Sequence, residues 1–156
     1  MARVHLALGS NLGDRLAHLQ SALDGLRDHP AITIVAVSRV YETDPVGGPA
    51  QDDYLNAVVE VMTDLQPEAV LEVAQALERA AGRVRAERWG PRTLDVDLLC
   101  YDDLRLDTAS LTIPHPRMSE RAFVLAPLHD VAPDLVTVPD EGWTGVRPAP
   151  EVELRQ

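Results

Sequence analysis

No lysine occurs anywhere in the 156 residues; all fourteen basic side chains are arginines. That absence removes every chemistry that needs a lysine amine: a Walker-type phosphate loop, the strand lysine of protein kinases, and Schiff-base catalysis. Cysteine is nearly as scarce. A single Cys100 excludes an internal disulfide and any multi-cysteine zinc site, and its place in an apolar stretch reads as a buried, inert thiol. No apolar run approaches the roughly 20 residues that a membrane span requires. The N-terminal MARVHLALGSNLGDR lacks the basic region, long apolar core and cleavage site of a secretory leader. A cytoplasmic protein with no membrane partner is the expectation. At a net charge of −11 the chain also lacks the summed positive potential that nucleic-acid binding draws on. Any anionic ligand must therefore be held by a local basic cluster. One exists: Arg83, Arg85, Arg88 and Arg92 fall within ten residues.

What is present fits one domain, on the usual scale of roughly 100–200 residues. It is expected to span 1–138, with an irregular tail over 139–156, and to act as a monomer. RVHLAL (3–8) reads as a strand, followed by turn residues and a helical stripe of Leu12, Leu16, Leu19, Leu23 and Leu26. AITIVAVSRVY is rich in β-branched residues and predicts one long second strand. ETDPVGGPAQDD predicts a loop. YLNAVVEVM alternates, with Leu55, Ala57, Val59 and Val61 on one face and Tyr54, Asn56, Val58 and Glu60 on the other. Pro67 opens a second helix with a stripe of Val70, Leu71, Ala74, Leu77 and Ala81, ended by Gly82. TLDVDLLCYDD predicts a fourth strand, YDDLRLD a tight turn with a short return strand, and SERAFVLAPLHD a short helix broken by Pro127. The order βαββαβ implies an α+β, ferredoxin-like core: an antiparallel sheet with helices on one face, the other face free for ligands, and short C-terminal additions.

The stretch RWGPRTLDVDLL carries the densest chemistry. Side chains two apart in a strand share a face about 6.5–7 Å apart, so Asp95 and Asp97 project together while Leu94, Val96 and Leu98 face the core. A pair of this kind is common on solvated strand faces; it also suits a hard divalent cation. Arginines just upstream shift the balance, because guanidinium forks on phosphate oxygens and carboxylates on a metal are together what a magnesium triphosphate requires. Gly90-Pro91 stiffens the turn that aims Arg92 at the aspartates. Trp89 is suited equally to stacking on a heterocycle and to covering the sheet edge. Tyr54 and Asn56, on one side of their strand, suit a flat polar heterocycle, with partial core burial the plain alternative for Tyr54. Phe123 is either the other wall of that ring or ordinary packing, and His115 in IPHPRM contacts phosphate or caps a turn.

Taken together, GSNLGDR, YETDPVGGPAQDDYLNAV, RWGPRTLDVDLL and IPHPRMSERAFVLAPL resemble the pterin pyrophosphokinase family of folate biosynthesis, from about residue 4 to residue 134. The resemblance implies transfer of pyrophosphate from ATP to 6-hydroxymethyl-7,8-dihydropterin, with AMP released. It implies Asp95 and Asp97 as ligands of two Mg2+ ions, with Asp97, Arg83 and Arg92 in catalytic roles. It implies a pterin pocket of Thr43, Pro45, Val46, Tyr54, Asn56 and Phe123. The ATP contacts it implies are Gln75, Glu78, Arg83, Arg85, Trp89, Arg92, Leu98, Thr112, His115 and Arg121. The arginine loop departs from some members in being one position shorter and in carrying Glu87 where a further basic residue is often found. Two rival readings of the aspartate pair are a two-metal nucleotidyl cyclase or phosphodiesterase on the same sheet, and a ligand-binding regulator without catalysis. The first does not explain Tyr54 and Asn56, and the second leaves the aspartate pair as a solvated face.

Overall fold

The computed structural model describes residues 1–43, 53–82, 93–140, 142–149 and 154. Pro45, Val46, Arg83, Arg85, Trp89 and Arg92 therefore lie outside the described residues. The chain runs β1 (Ala2–Ser10), α1 (Arg15–Asp28), β2 (Ile32–Val37), β3 (Tyr41–Thr43), β4 (Tyr54–Thr63), α2 (Pro67–Ala80) and β5 (Asp95–Tyr101). The principal sheet has the strand order β5-β1-β4-β3, with β2 also paired to β4, all antiparallel. This is the expected ferredoxin-like βαββαβ arrangement, with the second strand broken in two.

The two helices cover one face for the reasons their sequences suggest. Asp14 caps α1 by accepting from the Ala17 N–H at 3.1 Å, and Leu19, Leu23 and Leu26 are fully buried on its inner side. Leu12, expected on that stripe, instead precedes the cap and is exposed, because the Asp14 cap sets where the helix begins. Pro67 opens α2, whose Val70 and Ala74 bury against the sheet. The two helices approach closely at Gly25: a Cβ there would lie 2.4 Å from Leu77 Cδ2.

The second strand breaks after Val37, with its own register consequence. The four-residue step from Val37 to Tyr41 is matched by a three-residue step from Val59 to Asn56 on β4. Ser38 fills the irregularity, donating its N–H to the Val58 carbonyl and accepting the Val58 N–H on its hydroxyl. Because side chains alternate with a period of two, the extra residue turns Tyr41 and Thr43 onto the same face as Asn56.

That face is not free along its whole length, contrary to the expectation of an open ligand surface. Helix α3 (Ala122–Val131) crosses it, packing Val124 and Leu128 in a second core with Val58, Leu99, Cys100 and Val136. Val58 and Glu60, placed on the outer face by alternation, are accordingly buried. The helix also runs through Pro127 rather than breaking there. Burying a Val or Leu side chain is worth about 1.5–3 kcal/mol. Two such residues outweigh the roughly 3 kcal/mol that an internal proline costs. Cys100 is buried, as expected.

Two polar clamps fix this second layer. Arg3 on β1 grips the Asp134 carboxylate through both terminal nitrogens at 3.0 and 3.1 Å and also bonds Glu60 through Nε. Glu60 in turn meets His5 Nε2 at 3.2 Å. At the other end, Tyr41 donates its hydroxyl to Asp130 on α3 at 2.9 Å, and Arg39 pairs with the same carboxylate. Burial, reinforced by Asp130, pushes the Tyr41 hydroxyl up to about 12, so it remains a donor.

The return strand β6 (Leu106–Asp107) pairs with β7 (Thr112–Ile113) in a separate ribbon rather than with β5. Leu111 and Ile113 bury into the main core, which draws that ribbon inward. The tail, expected to be irregular, supplies β8 (Val146–Pro148), which pairs antiparallel with β3. Among the described residues, no helix is long and apolar enough to cross a membrane.

Candidate active site

One rung of the sheet organises the site. Tyr41, Asn56, Gly9 and Asp95 are successive cross-strand partners from β3 through β4 and β1 to β5. The expected first strand stopped short of Gly9; in the structure β1 continues through it to Ser10. A Cβ on Gly9 would sit 3.0 Å from Asn56 Oδ1 and 3.8 Å from Tyr54 Cδ1. With Ala7 opposite Asp97, β1 presents only Gly and Ala between the aspartates and the Tyr54–Asn56 strand. The result is a low floor flanked by an amide and an aromatic on one side and two carboxylates on the other. Gly9 and Ala7 were not singled out from sequence, although a glycine inside a strand is the usual sign of a close approach.

Asn56 and Thr43 are both buried, and the Asn56 amide nitrogen donates to the Thr43 hydroxyl. This bond leaves the amide oxygen turned over Gly9. Thr43 and Tyr54 are themselves cross-strand partners, so three of the residues assigned to a heterocycle pocket stand together. Phe123, at the start of α3, is half-buried beside the second core, and the Arg121 guanidinium lies 5.6 Å from its ring centroid.

Asp95 and Asp97 are half-buried on β5 and share the α3 side of the sheet. Among the described residues no group of three or more His, Cys, Asp or Glu could hold a metal. Two carboxylates alone are too few for a closed cation cage. They suit Mg2+, which commonly takes one or two carboxylates and completes its shell with phosphate oxygens and water.

His115 stands near Asp97. Its N–H donates to the Leu99 carbonyl at 2.9 Å, and its Nδ1 accepts from the Arg117 N–H at 3.3 Å. Burial lowers its pKa, opposed by the Asp97 charge and assisted by Arg121 and Arg117. Burial thus favours the neutral ring, which can offer one donor without adding charge. Thr112, on β7, bonds Asp107 through its hydroxyl at 3.3 Å.

Other expected ATP contacts sit elsewhere in the fold. Gln75 and Glu78 lie on α2, which packs beside β5 from the opposite layer. Gln75 is exposed, whereas Glu78 is buried and accepts the Val96 N–H at 3.0 Å. The Leu98 side chain is in the main core, so only its main chain is available to a ligand.

A protein-family model described as 7,8-dihydro-6-hydroxymethylpterin-pyrophosphokinase (HPPK) matches residues 5–133. The chain belongs to this family. It is 49% identical over 127 residues to the 2-amino-4-hydroxy-6-hydroxymethyldihydropteridine pyrophosphokinase of Bacillus subtilis, covering 81% of this chain and 76% of that one. It is 48% identical over 136 residues to the enzyme of the same name from Methylorubrum extorquens, covering 87% and 86%. Among solved structures, wild-type HPPK-DHPS of Plasmodium falciparum superposes with a TM-score of 0.62 at 17% identity. That match covers 86% of this chain and spans 40% of the Plasmodium chain, and it supports the fold. The chain is thus a pyrophosphokinase by family, and β8 lies beyond the matched stretch.

Proposed function

We propose that this pyrophosphokinase of folate biosynthesis transfers the β,γ-diphosphate of ATP to the hydroxymethyl oxygen of 6-hydroxymethyl-7,8-dihydropterin, releasing AMP, across the rung between Asn56 and Asp95. The pterin lies at the Thr43, Tyr54 and Asn56 end, walled by Phe123, Pro45 and Val46. The triphosphate lies over Asp95 and Asp97. The observation that carries this reading is the low Gly9 floor, which leaves room for a flat ring beside Asn56 while the carboxylates face it from β5.

The hydroxymethyl oxygen forms a bond to the β-phosphorus as the bond from that phosphorus to the α–β bridging oxygen breaks. AMP keeps that electron pair, and the alcohol proton passes to water or to Asp97. Asp95 and Asp97 would hold two Mg2+ ions, which would neutralise phosphate charge and favour in-line displacement. Arg83 and Arg92, with Arg85 and Trp89, supply guanidinium forks and a covering ring for the phosphates. Asn56, its amide oriented by Thr43, reads the pterin edge in plane. His115, neutral through burial, donates to phosphate alongside Arg121, and Thr112 adds a hydroxyl. Glu78 and Gln75 bound the nucleotide side. The Val96 N–H points out of edge strand β5 toward Glu78, and by the two-residue period the main chain of Leu98 faces the same way, suited to an adenine edge. The reading needs no residue from a second chain, and it takes the protein as a monomer working in the cytoplasm.

Incubation with ATP, Mg2+ and 6-hydroxymethyl-7,8-dihydropterin, followed by nucleotide chromatography, tests the reading. Pterin-dependent AMP in equal amount to a pterin diphosphate is the expected result. ADP, a cyclic nucleotide, or no turnover overturns it.

A further inference from the structure

The C-terminal strand β8 belongs to no part of the chemistry above, yet it touches both shoulders of the pterin end. β3 is three residues long and would otherwise form the sheet edge. β8 pairs along all of it, with Val146 opposite Thr43, Arg147 opposite Glu42 and Pro148 opposite Tyr41. The Ala149 N–H donates to the Val40 carbonyl at 2.9 Å. Main-chain bonds in an antiparallel pair alternate, so the next bonded position is Arg147 opposite Glu42. Pro148, which has no N–H, falls between them where none is needed.

The Arg147 side chain extends this contact to the far shoulder by bonding Asp53 Oδ2 at 2.5 Å. Arg15, on the first turn of α1, reaches the same two places, donating to Glu42 Oε1 at 3.1 Å and to the Asp53 carbonyl at 2.8 Å. Glu42 immediately precedes Thr43, and Asp53 immediately precedes Tyr54. Two guanidinium groups from opposite ends of the chain thus hold the residues next to both members of the Thr43–Tyr54 pair. Thr43 in turn receives the Asn56 amide.

We infer that β8 is a positioning element for the pterin pocket, with Arg147 as its key residue: strand pairing and the Arg147–Asp53 contact hold Thr43 and Tyr54 in the spacing the pterin ring requires. The inference rests on the pterin reading given above. The Arg147–Asp53 pair is partly exposed, at 47% and 37%, so its worth lies in geometry more than in stability. A misplaced pocket wall raises the concentration of its own ligand needed for half-maximal rate and leaves the other ligand's unchanged.

Steady-state kinetics of the full chain with ATP and the pterin varied separately test this. Arg147→Pro removes both the main-chain donor and the side chain and is expected to raise the pterin KM about tenfold, with the ATP KM and kcat within about twofold. Arg147→Ala removes only the side-chain contact and is expected to raise the pterin KM about threefold, with Arg147→Lys restoring part of the loss. Melting temperatures measured in parallel show that each variant is folded. A wild-type chain without pterin-dependent AMP formation overturns the substrate reading and this inference with it. Normal wild-type turnover with an unchanged pterin KM in Arg147→Pro, or equal rises in both KM values, overturns this inference alone.

Discussion

Glu78 on α2 accepts a hydrogen bond from the main-chain N–H of Val96 on the edge strand β5, at 3.0 Å and out of solvent. The bond joins the helix layer to the strand that carries both aspartates. Its loss leaves a buried donor without an acceptor. Glu78→Ala is therefore expected to destabilise the fold by about 1–3 kcal/mol, and Glu78→Gln, which keeps an acceptor oxygen, by less. Urea unfolding midpoints measure both, and equal losses in the two variants would remove the hydrogen bond as the cause.

Gly9 is the floor of the site. Its replacement by Ala meets Asn56 Oδ1 at 3.0 Å, tighter than an ordinary contact, so the amide must give way. The pterin dissociation constant is expected to rise about tenfold while the melting temperature changes little, because alanine in a strand recovers about 0.5–1 kcal/mol of backbone entropy. Isothermal titration with the pterin checks this. Unchanged affinity would mean that the ring lies away from the rung.

Asp97→Ala removes a half-buried carboxylate that stands opposite Ala7 across the sheet. Turnover is expected to fall at least about a hundredfold, with circular dichroism unchanged. Retained turnover at saturating Mg2+ would refute the assigned role.

Acid is expected to weaken the fold through His5. Burial holds this ring below its ordinary value of 6.5, against the pull of the Glu60 hydrogen bond. Among the described residues its buried Nδ1 has no hydrogen-bond partner. As pH falls below about 6.5 the unfolded chain takes up this proton before the folded one does, so stability is full above that value and declines below it. Asp134, held below its ordinary 3.8 chiefly by the Arg3 hydrogen bond, adds its own loss only in more acidic solution. Chemical unfolding at pH 7.5 and 5.5 is expected to show the decline in the wild type and a smaller one in His5→Gln. Equal declines would place the effect on another group.

The elements whose patterns extend over many residues could be read from the sequence. The α1 leucines, the α2 stripe from Pro67 to Ala80 and the alternation of β4 each carry enough repeats to declare a period. What could not be read depends on pairing between distant segments. VRP has no strand signal of its own and becomes β8 only because β3 offers an edge. Pro127 argued for a break, and only the packing of Val124 and Leu128 on Val58 holds α3 through it. Val58 was the overlooked sign: a valine on the supposedly wet face of β4 already implied a cover. In the site, the aspartate pair and the Tyr54–Asn56 pair were visible as spacings. Their meeting across Gly9 was not, because it depends on the register between three strands.

That register also bears on how this chain can change over evolutionary time. Between Val37 and Tyr41 the strand spends one more residue than its partner, and only this surplus brings Thr43 to the side where Asn56 waits. Substitutions there alter a contact, but a deletion of one residue would turn Thr43 and Tyr41 to the side covered by α1 and α2 and take the amide's orienting hydroxyl with them. The short segment from Ser38 to Val40 can therefore drift in composition far more readily than in length.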